Sequence, residues 1–307
     1  MTILCCGEAL IDMLPRETSA GDAAFAPHAG GAVFNTSIAL GRLGIDVGFF
    51  AGLSDDLFGA ILRGGLTASK VSSDLCPIVD APTTLAFVTL VNGQAQYAFY
   101  DENTALRGLS ASDLPDLTGI DAMFFGGISL VYGDCADTYE TQMLDAASSC
   151  VTMIDPNIRP SFIRDEISYR TRLERMIAAA DIVKLSDEDL HWLEGDGDLA
   201  DLAQGIVAKG PKAVLITEGV KGATAFRDGD PVFVPATPAQ VVDTVGAGDT
   251  FNAGFLAGLA QDGLLTKAAV ADLSTEALET ALGLGIKTAA ITVSRAGANP
   301  PWSHELE

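Results

Sequence analysis

The sequence predicts an α/β fold, with a mostly parallel β-sheet between two layers of helices and a small second β-sheet attached. Continuously apolar segments of strand length alternate along the chain with segments of helical periodicity, which is typical of a parallel sheet buried on both faces. One pair of segments departs from this alternation and predicts the second sheet. With 307 residues, 48% of them hydrophobic, the chain is long enough to bury a large core.

The elements of the main sheet follow from local patterns. Each predicted strand is a short apolar run, and each predicted helix repeats apolar residues three or four positions apart. The predicted strands are residues 3–6, 47–50, 123–125, 151–154, 182–185, 214–217 and 290–293. The predicted helices include residues 139–147, 169–179 and 275–286.

The second sheet is predicted from a hairpin. Residues 84–91 and 94–101 flank Asn92-Gly93, a pair that a two-residue type I′ turn prefers. A hairpin has no place inside a doubly wound parallel sheet, so we expect it to pair with residues 13–27 and to cover a site as a lid. An edge hairpin without such a role is the alternative. The predicted division is a core of residues 1–11, 32–82 and 105–307 and a β lid of residues 12–31 and 83–104.

The charge of the chain limits its partners. Lys and Arg total 18 against 41 Asp and Glu, which gives a formal net charge of −23. A nucleic-acid-binding protein needs a basic face, and the sequence shows none. An anionic ligand must therefore be bound by a few local groups against the field of the whole protein.

The composition also predicts the compartment. No run of 18 apolar residues occurs, and Glu8 and Asp12 stand where a signal peptide would be apolar. The five cysteines are odd in number and lack CxxC spacing, and the three histidines are scattered, so neither a disulfide framework nor a zinc site is expected. We expect a cytoplasmic protein with reduced thiols that binds neither membrane nor nucleic acid.

The most informative motif is DTVGAGDTFNAGF, residues 243–255. Gly246 and Gly248 allow a tight turn directly before a helix, whose free N–H groups bind anions with the help of the helix dipole. A carboxylate at this position, Asp249, suits a site where phosphate arrives beside a hydroxyl that must lose a proton. Asp249 would then be a general base, and residues 246–249 would hold the charge on a transferring phosphoryl group. The alternative is an ordinary helix start with Asp249 favouring the dipole.

A second motif places paired glycines, Gly30 and Gly31, just before a predicted helix that contains Asn35. Glycines allow a small molecule to approach the backbone, and the amide of Asn35 both donates and accepts hydrogen bonds. Asp12, which comes just after the first strand, could accept from two hydroxyls of a polyol. A tightly packed loop without a ligand is the alternative.

Together these stretches resemble the ribokinase-like (PfkB) carbohydrate kinases over essentially the whole chain. The resemblance depends on DTVGAGDTFNAGF and on GGAVFN at residues 30–35, which occur in the family's order and separation. It implies a ribokinase-like three-layer α/β/α core with a small β lid. It also implies ATP as the phosphoryl donor, Mg²⁺, and often activation by K⁺.

Within that family the chain is most similar to bacterial fructokinases. The stretches that carry this similarity are GEALIDMLP (7–15), YDENTA (100–105), FFGGISL (124–130), DPNIRP (155–160) and KLSDEDL (184–190). Kinases for 2-keto-3-deoxygluconate share several of these features.

The resemblance implies roles for single residues. It makes Asp249 the base that deprotonates the primary hydroxyl of the sugar, and Gly246, Ala247 and Gly248 the anion hole. The implied sugar-binding residues are Asp12, Gly30, Gly31 and Asn35. Arg159 would reach the sugar or the phosphates, with a structural salt bridge as the alternative.

The nucleotide and the metals are assigned in the same way. The implied nucleotide contacts are Lys184, Ser186, Thr217, Gly219 and Gly222. The implied K⁺ loop consists of Asp243 and Val245 together with main-chain oxygens of Thr292, Arg295 and Gly297. For Mg²⁺, the family commonly has Asn-x-x-Glu where this chain has Ser186 and Asp189. Asp189 keeps the charge and could hold a metal-bound water, whereas Ser186 offers only a hydroxyl.

The leading hypothesis is therefore an ATP-dependent fructokinase. A kinase for 2-keto-3-deoxygluconate or another sugar or nucleoside is the alternative in the same class. A non-catalytic protein that binds sugar or nucleotide is the alternative in a different class. The lid is also a candidate homodimer contact, because residues 85–91 are apolar on both faces of the predicted strand.

Overall fold

The structure is a computed structural model that describes residues 1–91 and 94–306. Its strands are β1 (Thr2–Cys6), β2 (Leu10–Glu17), β3 (Ala23–Gly30), β4 (Asp46–Phe50), β5 (Leu53–Ser54), β6 (Ile78–Val79), β7 (Leu85–Val91), β8 (Gln94–Tyr100), β9 (Ala122–Gly126), β10 (Val151–Asp155), β11 (Ile182–Ser186), β12 (Ala213–Thr217), β13 (Gly222–Phe226) and β14 (Val232–Pro235). Its α-helices are α1 (Ala32–Arg42), α2 (Leu57–Ala68), α3 (Asp134–Ala146), α4 (Glu166–Ala179), α5 (Asp187–Glu194), α6 (Leu199–Val207), α7 (Ala247–Gln261), α8 (Lys267–Val270) and α9 (Thr275–Val293). None of the helices in the described part of the chain is long and apolar enough to cross a membrane.

Eight strands form the main sheet in the order β14-β13-β12-β11-β10-β9-β1-β4. All neighbours from β4 to β12 pair in parallel, and β13 runs antiparallel to both of its neighbours. The predicted α/β fold with a mostly parallel sheet is therefore confirmed.

The alternation of side chains along the strands builds a core on each face of this sheet. In β1, Ile3 and Cys5 join a cluster that contains apolar residues of α1, α7 and α9. Leu4 and Cys6 point to the opposite face and join a cluster with residues of α3 and α4. Since both faces are covered, the residues of a strand are buried whichever face they point to, and this explains why most positions of these strands are apolar.

Six of the seven predicted strand segments lie in main-sheet strands, and the prediction for residues 290–293 is wrong. Those residues form the last turn of α9, which continues the helix predicted for 275–286. No Gly or Pro separates the two segments, and periodicity alone does not distinguish a short apolar run in a strand from one in a buried helix.

The second sheet has four strands in the order β3-β2-β7-β8. β2 pairs antiparallel with β3 and parallel with β7, and β7 pairs antiparallel with β8. The predicted pairing of the hairpin with residues 13–27 is therefore present, for example between Met13 and Phe87. The turn predicted at Asn92-Gly93 lies outside the described residues.

The order of strands in the main sheet reverses at β1. The chain places β4 on one side of β1 and all later strands of this sheet on the other side, beginning with β9. In open α/β sheets, ligands bind at the carboxyl ends of the strands where the order reverses. The residues at or just after these carboxyl ends are Glu8 (β1), Gly127 (β9), Asp155 (β10), Ser186 (β11) and Thr217 (β12).

Candidate active site

The first turn of α7 forms the centre of the candidate site. Gly246 precedes the helix with a φ of 79°, in the left-handed region that favours glycine, and a Cβ there would lie 2.6 Å from the Cβ of Ala298. Within residues 1–91 and 94–306, the N–H groups of Gly248 and Asp249 find no acceptor in the protein. The helix start therefore offers unpaired donors to an anion at Gly248 and Asp249, whereas the N–H of Ala247, which belongs to the predicted anion hole of residues 246–248, donates to the carbonyl of Thr244 at 3.3 Å.

Asp249 lies in this first turn and is buried, with 8% of its surface exposed. Its Oδ2 accepts a hydrogen bond of 2.9 Å from Nδ2 of Asn35, and its carbonyl accepts one of 3.1 Å from the hydroxyl of Thr36. Burial raises the pKa of Asp249 to about 7, while the Asn35 hydrogen bond and the charge of Lys184 act in the opposite direction. A carboxyl group with this pKa takes up and releases a proton near neutral pH, as a general base must.

Asn35 reaches Asp249 because α1 packs against α7. α1 begins directly after Gly30 and Gly31, and Gly31 has a φ of 110°, which a residue with a side chain rarely adopts. The structure thus brings together two residues 214 positions apart that the sequence assigned to the same site. It also gives Asn35 a partner that the sequence did not predict, since the amide donates to the Asp249 carboxylate.

Asp12 lies on β2 opposite His28 of β3, and its carboxylate is next to Gly30. A Cβ at Gly30 would collide with Oδ2 of Asp12, so the glycine keeps this carboxylate accessible. Burial raises the pKa of Asp12 to about 6. No hydrogen-bond donor to the Asp12 carboxylate is found in the described part of the chain, so both oxygens remain able to accept from a ligand.

A buried polar network, which sequence reasoning only partly found, lies beside α7. Nζ of Lys184 donates to Oδ2 of Asp155 at 3.0 Å, and Nδ2 of Asn252 donates to the same oxygen at 2.7 Å. A Cβ at Gly248 would lie 3.2 Å from Nζ of Lys184, so this ammonium group is adjacent to the helix start. Lys184 therefore adds a full positive charge to the partial charge of the helix.

Two signals could have found the missed members of this network. Asp155 ends a buried strand, and the carboxyl ends of neighbouring parallel strands meet at one edge of the sheet. Asn252 follows Asp249 by three positions in a helix, which places both side chains on one face. Both residues are almost fully buried.

Ser186 and Asp189 lie at the start of α5. The Ser186 hydroxyl caps the helix by accepting from the N–H of Asp189 at 3.0 Å, and Oδ1 of Asp189 accepts from the N–H of Ile158 at 3.1 Å. Burial raises the pKa of Asp189, and the negative charge of Asp155 raises it further. Asp189 thereby connects α5 to the loop that follows β10.

Arg159 is exposed in that loop, and its Nη1 donates to the carbonyl of the preceding residue, Ile158, at 3.0 Å. Arg159 forms no ion pair with any residue that the structure describes. The salt bridge that the sequence left open is therefore not formed.

The other predicted nucleotide residues lie at the end of β12 (Thr217), in the turn that follows it (Gly219) and at the start of β13 (Gly222). The Thr217 hydroxyl lies 3.5 Å from the carbonyl of Leu185, on the neighbouring strand. Gly219 is exposed with a φ of 54°, and Gly222 is buried with a φ of 133°. A Cβ at Gly222 would lie 2.9 Å from the N–H nitrogen of Ala236, so a side chain does not fit.

The predicted K⁺ residues lie in two segments that Asp243 joins. Its Oδ1 accepts from the N–H of Val245 at 3.0 Å, and its Oδ2 accepts from the N–H of Gly297 at 2.9 Å. The carbonyl of Thr292 accepts from the N–H of Arg295 at 3.0 Å. Asp243 therefore shapes a loop whose carbonyl oxygens are the type of ligand that K⁺ requires.

For Mg²⁺, the donor set is small. No group of three or more His, Cys, Asp or Glu side chains able to hold a metal is found in residues 1–91 and 94–306. Mg²⁺ in phosphoryl-transfer sites is usually held by one or two carboxylates together with substrate phosphates and waters. A single carboxylate such as Asp189 fits that arrangement.

Comparisons with known proteins agree with this geometry. The model of the pfkB family carbohydrate kinases matches residues 2–305. A fructokinase from Rhizobium leguminosarum bv. trifolii is 54% identical over 277 residues, which cover 90% of this chain and 85% of the relative. A fructokinase from Klebsiella pneumoniae is 32% identical, with 84% of each chain covered.

Solved structures show the same fold. A crystal structure of fructokinase with bound ATP from Xylella fastidiosa superposes with a TM-score of 0.91 at 30% identity, covering 99% of this chain and 96% of the other. An uncharacterised sugar kinase from Pyrococcus horikoshii, in complex with ATP, has a TM-score of 0.84 at 27% identity, with 99% and 96% covered. The chain therefore belongs to the pfkB family of carbohydrate kinases.

Proposed function

We propose that this carbohydrate kinase transfers the γ-phosphoryl group of ATP to the primary hydroxyl of fructose. The observation that carries the proposal is Asp249, a buried carboxylate with a pKa near 7 at a helix start with unpaired N–H groups. The 54% identity to the Rhizobium fructokinase supports fructose as the acceptor, and the bound ATP of the Xylella enzyme supports ATP as the donor.

In the proposed reaction, the ionised Asp249 accepts the proton of the attacking hydroxyl while that oxygen bonds to phosphorus and the bond to the ADP oxygen breaks. The unpaired N–H groups of Gly248 and Asp249, at the predicted anion hole, and the ammonium group of Lys184 stabilise the charge on the phosphoryl oxygens. Asp12, Gly30, Gly31 and Asn35 form the sugar side of the site.

The nucleotide and metals complete the proposal. Thr217, Gly219 and Gly222 lie along ATP, and the Ser186 hydroxyl, which caps α5, leaves Asp189 as the group near Mg²⁺. Mg²⁺ bound to ATP would neutralise phosphate charge. Carbonyl oxygens of the loop that Asp243 shapes, formed by Asp243, Val245, Thr292, Arg295 and Gly297, would hold K⁺. We place the reaction in the cytoplasm, in line with the five buried, unpaired cysteines.

The second sheet is proposed as a lid over the sugar, formed by residues 12–31 and 83–104. One of its faces, which includes Ala86 and Val88, is buried. Water excluded by such a cover cannot compete with the sugar for the phosphoryl group.

The substrate is tested by a coupled assay of ATP consumption. We expect kcat/KM for fructose to exceed that for ribose, glucose, adenosine and 2-keto-3-deoxygluconate by about tenfold or more, and to rise when K⁺ is added. A preference for the keto acid would replace fructose as the substrate, and Arg159→Met would then be expected to lose that preference. A protein that binds ATP but phosphorylates none of these compounds would instead be a non-catalytic binder.

The base is tested with Asp249→Asn. We expect kcat to fall at least ~100-fold, because the asparagine cannot accept the proton, while the affinity for ATP changes only a few-fold. Asp262→Asn, at the exposed opposite end of the same helix, is the matched control and should keep wild-type kinetics. An unchanged kcat in Asp249→Asn would remove Asp249 from this role.

The pKa of Asp249 predicts a pH dependence. Because the base must be ionised, kcat/KM for the sugar should rise with pH up to about 7 and level off above it. The pKa of Asp12, about 6, lies lower, so its titration steepens the profile only at more acidic pH.

Asn35→Ala should shift the rise of kcat/KM with pH to higher pH. The hydrogen bond from Asn35 favours the ionised form of Asp249, so its loss raises the pKa of this carboxyl group. Ser37→Ala is the control on the same helix, because the Ser37 hydroxyl donates to the carbonyl of Phe34 and, within the described residues, has no hydrogen bond to Asp249. The measurement is the pH profile of kcat/KM. If Asn35→Ala leaves the rise of kcat/KM at the same pH as in the wild-type protein, this rise does not report the titration of Asp249.

A homodimer through the lid is proposed from an aromatic cluster on the opposite face of the second sheet. The ring centroids of Phe25 and Tyr100 lie 5.0 Å and 5.5 Å from that of Phe87, and Tyr100 is 64% exposed. Light scattering should give twice the 31.8 kDa mass of the chain, and Tyr100→Asp should reduce it to one chain. A wild-type protein that elutes as a monomer at micromolar concentration would rule this contact out.

A further inference from the structure

Glu8, between β1 and β2, is a buried carboxylate to which the reaction proposed above gives no role. Only 1% of its surface is exposed. It lies where the strand order of the main sheet reverses, directly after β1. Burying a carboxylate away from water costs free energy unless hydrogen bonds within the protein replace those to water. The contacts of Glu8 therefore show what stabilises it in this position.

Two backbone N–H groups from different parts of the chain bind this carboxylate. The N–H of Ala32, the first residue of α1, donates to Oε1 at 2.8 Å. The N–H of Ser129 donates to Oε2 at 3.2 Å, from the turn that follows β9. A Cβ at Gly127 (φ 67°) would collide with both oxygens, so that turn closes directly onto the carboxylate.

The contact with Ala32 replaces a missing helix cap. Gly31, the residue before α1, supplies no side-chain hydrogen bond to the first turn, and that turn contains no acidic residue. The Glu8 carboxylate takes the position of the cap from another part of the chain, at the positive end of the helix dipole. Three and four residues further along α1 lie Asn35 and Thr36, the two residues that hold Asp249.

We propose that Glu8 is a positioning residue of the kinase: it fixes the glycine loop and the start of α1 against the turn after β9, and through α1 it holds Asn35 against the base. The role rests on the proposed sugar-kinase reaction. Glu8 makes no hydrogen bond to Asp249 among the described residues, and in this proposal it does not touch the substrate. Its charge helps to raise the pKa of Asp249, so the kinetics of Glu8 variants are compared at a pH well above 7, where that effect is small.

Burial raises the pKa of Glu8, while the hydrogen bonds from Ser129 and Ala32 lower it. These bonds therefore favour the ionised form, which can accept from both loops at once. A glutamine of the same shape has one accepting oxygen, and its NH₂ group would face one of the two N–H donors.

The test compares Glu8→Gln with the wild-type protein, using the sugar that the wild-type protein prefers. We expect kcat/KM for the sugar to fall about tenfold or more, because both the sugar loop and Asn35 lose their fixed position, while the Kd for ATP without sugar stays within about threefold. Combined with Asn35→Ala, the total loss should be smaller than the product of the two single losses, because both changes act on the same contact.

Asp181→Asn is the matched control. Asp181 is also a buried carboxylate, and it accepts from the N–H of Thr152 at 2.8 Å and from Lys267, but it lies at the opposite end of the sheet, before β11. We expect this variant to lower the thermal midpoint without changing the kinetic constants of the folded protein by more than about twofold.

The outcomes separate the two levels of the proposal. Sugar kinetics within about twofold of wild type in a folded Glu8→Gln protein, or fully multiplicative losses with Asn35→Ala, would overturn the positioning role alone. If Glu8→Gln does not fold, Glu8→Asp is measured instead; it keeps the charge but is one methylene too short to reach both loops, and wild-type kinetics would again overturn the role. A wild-type protein inactive on every sugar would overturn the proposed reaction and this role with it.

Discussion

The start of α7 and the ammonium group of Lys184 supply the positive charge on which the arrangement of the site depends. The chain has a net charge of −23, and its site contains buried carboxylates at Asp155 and Asp249. These negative charges would repel a nucleoside triphosphate that approached the carboxyl ends of the strands, unless a local cation offset them. Lys184 bonds to Asp155 and lies beside Gly248, so it balances one carboxylate and adds positive charge at the helix start that the proposed reaction assigns to phosphate.

The same constraint explains how Asp249 is tuned. Burial and the charge of Asp155 disfavour its ionised form, whereas Asn35 and Lys184 favour it. Burial raises the pKa of the carboxyl group most, and the hydrogen bond from Asn35 and the charge of Lys184 limit that rise. The pKa of about 7 is the balance of these effects, and it depends on α1 and α7 keeping their contact.

Much of this arrangement could be predicted from the sequence, because local patterns determine it. The continuous apolar strands predicted the parallel sheet, and the glycines before Asp249 predicted the helix start. The residues that escaped prediction act through tertiary contacts. Asn252 contacts Asp155, 97 residues away, and Glu8 contacts Ser129, 121 residues away. Nothing in the local sequence of Asn252 or Glu8 indicates these partners. The last turn of α9 was assigned to a strand because an apolar run has the same composition in both settings.

The charge of the site also bears on which sugar it accepts. Asp12 is the carboxyl group among the residues assigned to the sugar side, and it has no hydrogen-bond donor within the described residues. Asp249, the proposed base, is a second carboxyl group of the site. A neutral polyol satisfies such oxygens with its hydroxyls, whereas the carboxylate of an acidic sugar would face like charge unless a cation paired with it. Arg159 is exposed, and among the described residues its guanidinium group donates to the carbonyl of Ile158 and forms no ion pair. The electrostatics therefore favour a neutral acceptor such as fructose over a keto-deoxy sugar acid, on grounds independent of the similarity to fructokinases.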